Sequence, residues 1–140
     1  MGEIRIQVNL TNAVDDDLAS QGRLARDEVR HLEVTAVVDT GAVTTVLPVQ
    51  VVEQLGLTVR GQRLAQYADG RQDNVGVTGP VLFEMLGRNT LEEALILGDE
   101  VLIGQTILKK LDLLADCAGQ RLVPNPERPD QPVLNVRWTL

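Results

Sequence analysis

The run Val37-Val38-Asp39-Thr40-Gly41-Ala42-Val43-Thr44-Thr45-Val46-Leu47-Pro48 constrains this chain most, because an apolar strand delivers one aspartate directly into a glycine turn. A carboxylate at the end of a strand is held by a rigid element, so a second carboxylate placed opposite it could share its proton. Gly41, having no Cβ, permits a tight turn and lets backbone N–H groups approach Asp39. Val37 and Val38 anchor the loop in a core.

The rest of the chain reads as short strands. Ile4, Ile6, Val8 and Leu10 alternate with Glu3, Arg5, Gln7 and Asn9, the pattern of a strand with one buried and one wet face. Asn12 to Asp27 has weak periodicity and reads as a long exposed connection, and Val29 to Val38 is strand again. Pro48 suits a helix start, with Val49 to Leu55 following and Gly56 as the stop. Leu57 to Tyr67 and Asn74 to Phe83 flank Ala68-Asp69-Gly70-Arg71, a turn sequence in which glycine accepts positive φ, so a hairpin is predicted. Glu93 to Leu97 and Glu100 to Ile103 are two further short strands. Gly104-Gln105-Thr106 opens a second helix that buries Ile107, Leu108 and Leu111. Leu113 to Cys117 and Gln120 to Pro124 form a last hairpin, and four prolines stiffen the link to Val133–Leu140. Many short strands with one or two short helices predict an all-β, closed barrel-like fold.

Composition removes most function classes. The chain has 140 residues, room for one domain. A net charge of −7 repels phosphate backbones and 2% aromatics leave little to stack on bases, so no nucleic acid partner is expected. Apolar runs are strand-sized and interrupted by charge, which argues against a membrane, and Met1 to Arg5 lacks the layout of a secretory signal, so a cytoplasmic location is expected. Ser20, His31 and Cys117 are each the only residue of their type. No disulfide can form within the chain, a Cys/His zinc site lacks ligands, and Ser20 and His31 lie in a polar segment without the turn that exposes a nucleophile. Asp15, Asp16 and Asp17 read as solvated loop acids rather than a metal site. No metal or cofactor is expected; carboxylates and water remain.

Asp39-Thr40-Gly41-Ala42 behind an apolar strand, the Pro48 helix, and Val101-Leu102-Ile103-Gly104 followed by a second helix together resemble the retroviral-like, single-lobe (retropepsin-like) aspartic proteases. The resemblance spans Val34 to Pro124. It implies a retropepsin-type acid protease fold over 1–124, with 125–140 as a C-terminal extension that forms a dimer or edge strand. It implies Asp39 as the catalytic residue, Thr40, Gly41 and Ala42 as the active-site loop, and Ile103 and Gly104 as its support. Tyr67, Ala68, Asp69 and Gly70 sit where the flap over the substrate is expected. One lobe supplies one aspartate, so the second must come from another copy: a homodimer, in which Thr40 could bond across the two-fold axis, cleaving an extended peptide or protein substrate. The alternative is a non-catalytic homodimeric peptide-binding or dimerisation module on the same scaffold. Two positions depart from the viral pattern. Val43 stands where an acidic residue is common and Gln105 where arginine is, so the ion pair those residues make is missing. Asp69 reads as a turn-former before a substrate contact, while Tyr67 either lines the cleft or packs on a strand. Cys117 and Trp138 read as packing residues, and His31 as a surface histidine.

Overall fold

A computed structural model describes residues 3–137. The alternating N-terminal run forms β1 (Ile4–Asn12), with Ile4, Val8 and Leu10 buried and Arg5, Gln7 and Asn9 exposed. It pairs antiparallel with β2 (His31–Val38) from Ile4↔Val38 to Thr11↔His31, so β2 ends where Asp39 begins. Five two-to-eight-residue strands follow, β3 (Val46–Leu47), β4 (Val59–Gln66), β5 (Gln72–Thr78), β6 (Val81–Met85) and β7 (Arg88–Glu92), then β8 (Leu95–Ile96) and β9 (Leu102–Ile103). All nine join one sheet in the order β4-β5-β8-β3-β9-β2-β1-β6-β7, and β10 (Leu113–Asp116) with β11 (Arg121–Pro124) makes a separate hairpin. The helices are α1 (Ala13–Ser20), α2 (Val49–Leu55) and α3 (Gln105–Leu111). Phe83, Leu10, Leu47, Leu55, Ile103, Ile107 and Leu111 are fully buried and hold α2 and α3 to the sheet.

α2 begins and ends as predicted, with Gly56 at φ 61° after it, and Ile107, Leu108 and Leu111 are the predicted buried face of α3. Several expectations are corrected. Among the described residues no pairing joins β4 to β7, so the sheet is open rather than a closed barrel; where these ends approach, Arg63 and Glu93 side chains meet at 3.8 Å. There are three α-helices instead of one or two, because residues 13–20 of the supposed connection are helical. The signal for α1 is a cap and not an apolar stripe: the Asp15 N–H donates to Asn12 Oδ1 at 3.1 Å. Asp15 is buried, its carboxylate taking the Arg30 N–H (3.0 Å), Nε–H (2.8 Å) and Nη2–H (3.0 Å), so it is not a solvated acid. Arg30 accordingly holds the Asp15 carboxyl below its ordinary range.

The single run predicted from Asn74 to Phe83 is two strands, broken at Gly79-Pro80, where proline has no N–H for a ladder. Gly79 donates its N–H to the Thr58 carbonyl at 2.8 Å instead. β7 escaped the sequence reading because its pattern is inverted, with Arg88 buried and Leu91 54% exposed. The turn before it also lacks the usual Asn-Gly, using Leu86 (φ 51°) and Gly87 (φ 73°), both in the left-handed region that a two-residue hairpin loop needs.

The segment after β11 is tied down at one buried cluster. Asp112, at φ 55° just past α3, receives Arg128 Nε–H (2.6 Å) and Nη2–H (3.1 Å), Asn125 Nδ2–H (3.2 Å) and the Val133 N–H (3.2 Å). These bonds, Arg128 foremost, hold the Asp112 carboxyl far below the usual carboxylate range. Arg88, buried, donates to the carbonyls of Leu111, Asp112, Arg128 and Pro129. Residues 133–137 are in no strand or helix; Trp138 lies outside the described residues.

Candidate active site

Asp39 is placed by two strands. The parallel pairing of β2 with β9 sets Val37 against Leu102 and Val38 against Ile103, and the Asp39 N–H donates to the Ile103 carbonyl at 3.0 Å. The backbone is therefore fixed up to the carboxylate, which is half-buried. Its Oδ1 accepts the Gly41 N–H at 3.0 Å, and the Ala42 N–H donates to the Asp39 carbonyl at 3.2 Å, closing the turn on itself. A Cβ on Gly41 would lie 3.4 Å from Oδ1, an ordinary contact. Among the described residues, Oδ2 accepts no hydrogen bond.

The start of α3 supports the loop from below. Gly104 donates its N–H to the buried Thr45 hydroxyl at 3.0 Å. A Cβ on Gly104 would meet the backbone of Val43 and Thr44 at 2.8 Å, so the glycine is required by space, its φ of −94° being open to any residue. The Gln105 N–H donates to the Ala42 carbonyl (2.8 Å) and the Thr106 N–H to the Val43 carbonyl (3.1 Å). Gln105 Nε2–H reaches the Thr40 carbonyl at 2.7 Å, so where the viral pattern uses an ion pair this chain uses an amide on a main-chain oxygen. The single Thr106 hydroxyl hydrogen is shared between the Glu92 carboxylate (2.6 Å) and the Val43 carbonyl (3.1 Å). Thr45, Gln105 and Thr106 were not singled out as supports by the sequence reading; only the adjacency of Gln105 and Thr106 to Gly104 hinted at it.

Asp39, Thr40, Gly41, Ala42, Ile103 and Gly104 thus come together as one unit. Tyr67, Ala68, Asp69 and Gly70 form the tip of the β4–β5 hairpin, and among the described residues no hydrogen bond joins this tip to the Asp39 loop. Gly70 takes φ 88° and donates its N–H to the Tyr67 carbonyl at 2.9 Å, while Asp69 accepts the Arg71 N–H (3.0 Å) and Nε–H (2.7 Å). Asp69 is engaged in making its own turn. The Arg71 guanidinium sits 5.1 Å from the Tyr67 ring centroid, so Tyr67 packs at the tip on a cation. A cavity of about 280 Å³ separates loop from hairpin, lined by Thr44, Arg63, Leu64, Val77, Glu93, Ala94 and Leu95. Its walls are mainly apolar, with one charge of each sign.

A family model described as aspartyl protease matches residues 26–105, more than half of the chain, and its span covers the Asp39 loop, α2, the β4–β5 hairpin and Gly104. The chain belongs to the aspartyl protease family. No curated protein matches it. Among solved structures, the EIAV protease complexed with an inhibitor is similar at 24% identity, over 55% of this chain and 75% of that one, with a TM-score of 0.48. In this aspartyl protease-family chain the one carboxylate that the family match, the strand end and the glycine turn have in common is Asp39. Asp15, Asp69, Asp112 and Asp116 are each engaged by an arginine.

Proposed function

We propose that the protein is an aspartic endopeptidase that works as a homodimer, Asp39 of each subunit facing its twin. The observation that carries this reading is the Asp39 carboxylate itself, half-buried at a strand end with one oxygen held by Gly41 and the other uncommitted. Two carboxylates brought within about 3 Å cannot both ionise cheaply and share one proton. The ionised one takes a proton from water as the water attacks the scissile carbonyl; the protonated one donates to the carbonyl oxygen and then to the leaving nitrogen. A two-fold axis beside the loop is the simplest way to pair one aspartate per chain. Exposed Thr40 and the 67%-exposed Val43 give the loop an outward face for a partner loop.

In this reading the β4–β5 tip closes over an extended peptide, and the cavity beside Thr44 takes an apolar side chain from it. No cofactor enters the chemistry. The cytoplasm is the proposed compartment.

The test is cleavage of a peptide library across pH by wild type and Asp39→Asn. Wild type should cleave and the variant should lose about 10²–10⁴-fold, the usual worth of a positioned acid or base. Activity should fall once rising pH strips the shared proton. Equal rates would remove the mechanism. A dimer by sedimentation with no cleavage by either protein would favour the non-catalytic binding module.

A further inference from the structure

The two ends of the sheet leave a groove that the proposed chemistry does not use. Among the described residues β4 pairs only with β5, and β7 only with β6, so each has one edge without a neighbouring strand, where side chains cap single carbonyls: Arg63 Nη1–H donates to the Gln62 carbonyl (3.3 Å) and Lys110 Nζ–H to the Leu91 carbonyl (3.0 Å). Between them lies a groove of about 610 Å³, with Arg60, Gly61 and Arg63 of β4 on one side and Leu91, Glu92 and Lys110 on the other.

The charges in this groove are unequally occupied. Glu92 is taken by Lys110 at 3.0 Å and by the Thr106 hydroxyl at 2.6 Å. Arg63 reaches Glu93 only at 3.8 Å, with both side chains more than half exposed, a pair of small worth. Arg60 is exposed and has no ion pair among the described residues. In a regular strand residues three apart point to opposite faces, yet Arg60 and Arg63 line the same groove. The irregularity between Val59 and Gly61, where the β4–β5 register shifts, accounts for this, since an extra residue resets the alternation.

We infer that this groove is a docking site for an extended, carboxylate-rich segment of another protein, which adds as a strand along the free edge of β4 and pairs its acids with Arg60 and Arg63. Main-chain bonds to the edge supply affinity and the two guanidiniums, which suit planar carboxylates, supply selectivity. Three cations and two carboxylates line the groove, and Arg60, unpaired among the described residues, with the loosely held Arg63 beside a half-made edge is what the occupant completes. The groove shares Arg63, Val77 and Glu93 with the cavity beside Thr44, so an occupant lies next to the cleft without touching Asp39. The inference does not rest on catalysis.

The test uses the full chain carrying Asp39→Asn, so that no probe is consumed. A short fluorescent peptide alternating valine with glutamate is titrated by anisotropy beside versions with lysine or proline for glutamate. The glutamate peptide should bind saturably and weaken with salt, the other two should not bind, and hydrogen exchange should slow at β4 amides. Arg60→Glu should weaken binding on the order of tenfold or more, with Arg60→Gln intermediate; as an exposed residue, Arg60 can be changed without loss of the fold, which circular dichroism verifies. If the arginines only guard the edge against pairing, no peptide binds and the inference fails. It fails equally if the lysine peptide binds as well, if Arg60→Glu has no effect, or if protection appears away from β4.

Discussion

Gly104 and Asp39 are neighbours only in space, and the loop's geometry depends on both. Replacing Gly104 by alanine puts a methyl against the backbone of Val43 and Thr44 at 2.8 Å, where no flexible side chain can give way. Gly104→Ala should cost about 1–3 kcal/mol in denaturant unfolding, the usual cost of overpacking, and should lower cleavage beyond what lost folding explains. A wild-type unfolding midpoint in this variant would show that the loop is less tightly seated than the distances say. Residue identity was legible where chemistry is local: Asp39, Thr40 and Gly41 announce a carboxylate in a turn. The Gln105 bond to the Thr40 carbonyl, spanning 65 residues, has no local signature. Neither does the Thr45 hydroxyl under Gly104.

At the level of elements, α1 shows what a periodicity reading cannot find. Only Ala13 and Asp15 of its eight residues are buried, so the helix rests on its cap and on two ion pairs, Asp15 with Arg30 and Asp16 with Arg26. Asn12 does two jobs, accepting the Asp15 N–H and donating to the Leu55 carbonyl at the end of α2 (2.9 Å). Asn12→Ala should therefore cost more than an ordinary cap, about 2 kcal/mol or more, since a buried carbonyl also loses its partner. Thermal unfolding of Asn12→Ala against Asn12→Asp separates the two jobs, because aspartate keeps the cap and cannot donate. α2, α3 and the β4–β5 turn were legible because the apolar spacing of the helices, the stop at Gly56 and the glycine of the turn are local. β7 was not, because it buries an arginine and exposes a leucine, which only its neighbours explain: Arg88 faces four carbonyls at the end of α3 and in the C-terminal segment.

For the molecule as a whole, the C-terminal segment is fastened to the body by charge, which makes the fastening pH-dependent. Asp112 is held below its ordinary range by Arg128, Asn125 and the Val133 N–H, so the folded state binds its proton less readily than the unfolded chain does. The stabilisation is then fully present above the ordinary carboxylate range and is lost as pH falls through the depressed value. Wild type should keep residues 125–133 protected from hydrogen exchange in mildly acid solution, where a carboxylate dyad works, and release them only in stronger acid. Arg128→Met should expose the segment already at neutral pH; unchanged protection would show that the cluster is not what holds it. By itself the sequence determined the apolar alternation of β1, the strand-to-turn delivery of Asp39 and the stop of α2 at Gly56, because each is set by the conformational preferences and burial of residues close in the chain. Tertiary structure alone decided that the sheet stays open between β4 and β7, that Asp15 and Asp112 are buried and paired with arginines, and that the Thr45 hydroxyl and the Gln105 amide hold Gly104 and the Asp39 loop together. Those outcomes depend on which distant groups can satisfy a buried charge or share a van der Waals gap, and no local pattern in the chain encodes that.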